Sequence, residues 1–197
     1  MHLFLINLLT VLLFQSTSIS CIGSRNFNIF SSLPFGPFKI IFKDIQICNA
    51  SKEYKIQNNF YLGQNPKSNV TEIKGNITVT IPFDDSLFLE GNFARRSADG
   101  IWKENTFIHK MPKACSTLRY LMGEEWSRMM YDLGIQNATC PVPPGVYIFP
   151  GLDTSIFNKN TNFPKTFIYG TYKLRYFYSR KNEVYGCNIY VVEIKPL

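Results

Sequence analysis

Histidine is nearly absent. Two occur in 197 residues, and one of them is His2. Beyond the apolar start only His109 is left, which excludes a two-histidine ribonuclease arrangement in the mature chain. Ser-His-Asp or Cys-His catalysis would have to run through that one residue. The sequence also lacks a Gly-x-Ser-x-Gly elbow, a Gly-rich phosphate loop and a dinucleotide fingerprint. Its carboxylate pairs, Asp84-Asp85 and Glu124-Glu125, are adjacent on a turn and on a helix-like run. Such neighbours face solvent and do not make a glycosidase pair. No Cys-x-x-Cys occurs, so a zinc site lacks its ligand set. Every common enzyme class misses a part, and a non-catalytic protein without metal or cofactor is expected.

Long apolar runs are scarce as well. The longest, Leu3 to Phe14, is broken by Asn7 and Thr10. It falls short of the ~20 residues that span a bilayer. Small and polar residues follow from Gln15 to Ser20, so residues 1–20 read as a secretory signal. Residues 21–197 then make one domain, secreted and extracellular. Charge of one sign is not concentrated. Lys and Arg number 21 against 14 Asp and Glu, net +7, yet only Arg95-Arg96 and Arg180-Lys181 stand side by side. With no nucleic-acid-binding motif, this reads as a solvated face, and nucleic acid is not an expected partner.

Aromatic residues are abundant, with 17 Phe and 11 Tyr, and they favour strands. Four N-glycosylation sequons, at Asn49, Asn69, Asn76 and Asn137, agree with a secretory route. Five cysteines occur, and Cys21 sits at the cleavage region. The other four allow three connectivities. The favoured one joins Cys48 to Cys187 and Cys115 to Cys140. The second bond ties a helix start to the Cys-Pro corner after it; the first staples the opening strand to the closing one.

Period-two alternation is clearest from Val70 to Ile81. Ile73, Ile77, Val79 and Ile81 share the core face, and Asn76 falls on the solvent face where a glycan belongs. Phe38 to Cys48 and Asn58 to Gly63 read as earlier strands. Leu87, Leu89 and Phe93 alternate in the next, and Asp99-Gly100 turns it into a hairpin with Ile101 to Ile108. Pro112 to Leu133 changes period: Leu118, Leu121, Met122, Trp126, Met129, Met130 and Leu133 follow helical spacing up to Gly134. This stripe reads first as helix packed on sheet and second as an adaptable ligand wall. Prolines 141, 143 and 144 force a corner. Val146 to Phe149 is a short strand, and Asp153 to Lys165 is a polar loop that still carries Ile156, Phe157 and Phe163. Thr166 to Tyr178 and Val184 to Ile194 close the chain as a hairpin.

Several short motifs stand in a fixed order: Gly75-Asn76-Ile77-Thr78, Gly100-Ile101-Trp102, Cys140-Pro141, Gly145-Val146-Tyr147, Phe163-Pro164, Gly170-Thr171-Tyr172 and Gly186-Cys187-Asn188-Ile189. In that order they resemble the MD-2-related lipid-recognition family, most of all its ganglioside GM2 activator branch, with a likeness to insect chemosensory members. The resemblance spans roughly Ile41 to the end. It implies an immunoglobulin-like antiparallel β-sandwich whose sheets part to form an apolar cavity; with the strand runs and the Pro112 to Leu133 stripe, the expected fold is mainly β with one short helix. It also implies that the first core cysteine pairs with the last. The activator branch has further cysteines that this chain lacks, and Cys115 to Leu133 is more helical here.

The expected function is a carrier or presenter of a lipid or other apolar small molecule, with a receptor or membrane surface as a second partner. The expected ligand-facing residues are Phe93, Trp102, Leu121, Met122, Trp126, Met130, Phe149, Phe157, Phe163 and Phe167. The competing expectation is a secreted protein-interaction module that recognises a receptor without a lipid.

Overall fold

Two antiparallel sheets account for most of the chain. The computed structural model describes residues 34–68 and 70–197; the leader, Cys21 and Asn69 lie outside the described residues. The strands are β1 (Phe35–Ile47), β2 (Ile56–Gln64), β3 (Thr71–Val79), β4 (Phe88–Arg96), β5 (Trp102–Met111), β6 (Gly145–Asp153), β7 (Thr166–Ile168), β8 (Gly170–Arg180) and β9 (Glu183–Pro196). A six-stranded sheet has the order β5-β4-β8-β9-β1-β7, and a three-stranded sheet the order β2-β3-β6. The architecture is mainly β and sandwich-like, as expected.

Alternation sets the faces. In β3, Ile73 and Val79 are buried and Ile77 packs on the main core, while Asn76 stands on the other face. Asp99-Gly100 turns β4 into β5, with Gly100 in the left-handed region at φ 86°. Lys181 and Asn182 make the two-residue turn of the β8–β9 hairpin, with φ 48° and 67°. Positive φ at both central residues matches the right-handed twist of the strands.

Two elements differ from the expectations. The single helix is two, α1 (Ala114–Met122) and α2 (Glu125–Asp132). Gly123 separates them at φ 57°, and its N–H reaches back to the carbonyls of Arg119 and Tyr120. That conformation suits glycine and ends the helix, although the apolar spacing runs on through it. The run Thr166 to Tyr178 is likewise two strands. β7 pairs only with β1, whereas β8 lies between β4 and β9. Gly170, at φ 150°, lets the chain leave one position and start the other.

Both expected disulfides are present, Cys48–Cys187 and Cys115–Cys140. The larger core cluster joins the helices to the sheets through Ile56, Val79, Leu87, Leu89, Met122, Trp126, Met130, Tyr178 and Tyr185. A smaller one surrounds Tyr172, Val192 and Ile194.

Candidate functional site: the inner wall of the large sheet

The strand registers place one continuous apolar wall on the inner face of the six-stranded sheet. β1 contributes Phe38, Ile40 and Phe42; β9 contributes Asn188, Tyr190, Val192 and Ile194. β8 adds Tyr172, Leu174, Tyr176 and Tyr178, and β4 adds Phe93 opposite Leu174. Phe107 of β5 lies opposite Phe93.

Aromatic contacts tie this wall into two groups. One sits at the far end of the sheet from the β8–β9 turn. There Phe167 meets Phe107 and Tyr172 at 5.5 Å between ring centres, Phe38 at 5.9 Å and Phe93 at 6.2 Å. The other group runs from Phe163 to Phe157, then Phe42, Tyr190 and Tyr176 to Tyr178 and Phe83. Offset and edge-on rings of this kind attract beyond their buried area.

Both groups combine buried rings, Tyr172 in one and Tyr178 and Phe83 in the other, with partly exposed ones. Phe38, Phe42, Phe93, Phe107, Phe167, Leu174, Tyr176 and Tyr190 are only half-buried, although they point away from the outer surface of the sheet. Burial nevertheless raises the Tyr176 and Tyr190 phenols well above their usual range and pushes Tyr178 up to about 12. Tyr176 and Tyr190 keep part of their surface accessible although they sit on the inner side of the sheet. The Tyr176 and Tyr178 hydroxyls meet at 3.0 Å, so the polar tips are shared within the wall.

The expected ligand-facing residues divide into four sets. Phe93 and Phe167 come together at the far end, and Phe157 and Phe163 meet beside Phe42. Phe149 packs edge-on against Phe60 at 4.9 Å on the inner face of the small sheet. Met122, Trp126 and Met130 are fully buried in the helix-side core, with Leu121 half-buried against it. The Trp126 indole donates to the Ala138 carbonyl at 2.8 Å, which fixes its ring as a packing group. Trp102 lies on the opposite face of the large sheet, under Lys173 and Arg96. Sequence reasoning passed over Phe38, Phe42, Phe107, Leu174, Tyr176 and Tyr190. The alternation in β8 and β9 carried that signal, since Tyr172, Leu174, Tyr176 and Tyr178 share a parity with nothing charged among them.

Other features lie outside this wall. His109 is exposed on β5 and meets Phe93 edge-on at 6.2 Å. All four cysteines of the described residues are bridged. Among the described residues no three His, Cys, Asp or Glu side chains converge as a metal site, and no helix is long and apolar enough to cross a membrane. A depression of roughly 250 Å³ borders the Cys48–Tyr54 turn, and one of roughly 480 Å³ separates Gly123 and Glu124 from residues 159–165. Both are lined mainly by polar side chains. Of the expected glycosylation sites, Asn49 and Asn137 are exposed and Asn76 stands on the outer face of the small sheet.

No family model matches the chain, and no curated protein matches it.

Proposed function

We propose that this protein is a secreted, non-catalytic carrier or presenter of a lipid or another apolar molecule, held against the inner wall of the large sheet. The carrying observation is that wall: aromatic side chains from β1, β4, β5, β7, β8 and β9 directed inward, many of them only half-buried. Each CH₂ withdrawn from water there would contribute about 0.8 kcal/mol. The ordered motifs around the Cys-Pro corner support membership of the MD-2-related lipid-recognition family, and the likeness to its insect members supports a chemosensory setting. Two disulfides are compatible with an oxidising, extracellular compartment.

The test is native mass spectrometry of the secreted, deglycosylated protein, followed by organic extraction of what co-purifies and titration with a fluorescent hydrocarbon probe. A defined added mass that extracts as lipid, or saturable probe binding, is expected. No bound mass together with no saturable binding would overturn the reading.

A second reading rests on a different face. Tyr61, Val146 and Ile148 are exposed on the outer side of the small sheet, an apolar surface suited to a protein partner such as a receptor. Ile148→Ser would then abolish capture of that receptor and leave probe binding unchanged.

A further inference from the structure

Arg95 is a cation on the inner face of the large sheet, beside the aromatic wall. It follows Phe93 on β4 and stands opposite the fully buried Tyr172 on β8. It is half-buried. One Nη donates to the Tyr169 carbonyl at 3.2 Å. The Nε is buried and has no hydrogen-bond partner. None of the ion pairs among the described residues includes Arg95. On β5, the register partner of Arg95 is Lys103, a second cation; Glu104 is bound instead to Lys173 at 3.3 Å. The side chain lies across Gly170, where a Cβ would stand 3.2 Å from Nε. Glycine at this position leaves room for the guanidinium beside it.

A guanidinium partly withdrawn from water with no counter-charge is costly, and such groups are kept paired. Its planar fork has five N–H donors matched to an oxyanion. Beside it stand the half-open rings of Phe93, Phe107, Phe167 and Phe38. An unpaired cation beside an open aromatic wall fits a molecule with an oxyanion at one end and hydrocarbon behind it.

We propose that Arg95 is the recognition residue for an anionic amphiphile, pairing with its terminal oxyanion while the hydrocarbon chain lies along the aromatic wall. This rests on the inner wall being the ligand site, as argued above. The Tyr172 hydroxyl is already committed to the Ile168 carbonyl at 2.9 Å and does not compete for the oxyanion. The oxyanion is a carboxylate or a phosphate, and the geometry serves both.

The test compares oleate, oleoyl lysophosphatidate, oleyl alcohol and methyl oleate as competitors of one neutral fluorescent hydrocarbon probe. The wild-type protein is expected to bind at least one of the two anions about tenfold or more tightly than the alcohol or the ester, the gain of a charge-assisted contact. The better anion identifies the source of the oxyanion. Arg95→Gln should remove that preference and leave alcohol and probe binding within about twofold, and Arg95→Lys should restore part of it. Lys39→Gln, an exposed charge elsewhere on the sheet, should leave the preference intact. Equal binding of all four competitors by the wild type, or an unchanged preference in Arg95→Gln, overturns the assignment while the carrier reading stands. If no competitor and no probe binds, the inner-wall site itself fails. Should Arg95→Gln fail to fold, Arg95→Lys and the wild-type preference still decide the matter.

Discussion

At the scale of single residues, the interior is defined by a few polar groups with fixed partners. Asn58 of β2 donates to the Asn188 side chain of β9 at 2.8 Å, and Asn188 returns a donor to the Asn58 backbone carbonyl at 3.1 Å. Both side chains are buried, so this amide pair ties one sheet to the other. Asn188→Ala should cost roughly 2–4 kcal/mol, because it strands two buried polar groups at once; urea unfolding measures it, and a loss below half a kcal/mol would mean water replaces the pair. Gly75 is a second such position. At φ 129° an added Cβ would stand 2.0 Å from the Asn59 carbonyl, so Gly75→Ala should destabilise well beyond the ordinary glycine effect of about 1 kcal/mol. The buried phenols make a third prediction. Tyr178 keeps its proton to about 12, against 10.0 for an ordinary phenol, because burial disfavours its charged form. Below 10.0 both the folded and unfolded states are neutral and the stabilisation is complete. Above it the unfolded chain releases a proton that the folded chain retains, so stability falls as pH rises towards 12. Burial shifts Tyr176 and Tyr190 in the same direction. Tyrosinate absorbance should therefore rise together with loss of near-ultraviolet circular dichroism over that interval. Gradual ionisation without unfolding would contradict it.

At the scale of elements, the two disulfides differ in reach. Cys115–Cys140 joins positions 25 apart, and Cys48–Cys187 joins positions 139 apart. The loop-entropy account gives them about 3.5 and about 5 kcal/mol. Paired serine substitutions should therefore lower the denaturation midpoint more at Cys48 and Cys187 than at Cys115 and Cys140; the reverse order would place the stabilisation in helix packing instead. Elements with a strict local code were legible in the sequence. The alternation around Ile73 to Val79, the Asp99-Gly100 hairpin and the order of the cysteines each depend on near neighbours or on chain order. Elements set by distant contacts were not. Spacing alone does not show that Gly123 interrupts the helix, because Met122, Trp126 and Met130 still share one buried side across the break. Nor does it show that β7 and β8 part at Gly170, since both are equally strand-like. Trp102 reads as an interior aromatic until the register places it among Arg96, Lys173 and Glu104 on the outer face. Of the candidate site, Phe93, Phe157, Phe163 and Phe167 were legible. The tyrosines of β8 and β9 were not, because strand parity says which residues share a face and not whether that face is filled.

At the scale of the whole molecule, the wall should respond to what fills it. Leu174 is half-buried between Phe93 and Tyr190 in register, near the middle of the wall. Leu174→Trp should occupy the adjoining space and weaken a hydrocarbon probe at least tenfold while the protein still folds; unchanged probe affinity would move the site elsewhere. A ligand at a hundred times its dissociation constant should stabilise the protein by about 2.7 kcal/mol, read as a raised melting temperature. The buried Asn58–Asn188 pair joins β2 to β9 towards the β8–β9 turn, and Cys48–Cys187 closes β1 onto β9 within the large sheet beside it. Arg95 and Phe167 lie at the other end, about 20 Å away along β8, with Tyr172 six residues from Tyr178. No strand ladder runs between the two sheets among the described residues. At the Arg95 end Phe107 of β5 and Phe167 of β7, the two edge strands of the large sheet, meet at 5.5 Å between ring centres, so the sheet closes on itself there. Parting those two edges would break contacts between rings and no ladder hydrogen bond, since β5 and β7 are not paired with each other.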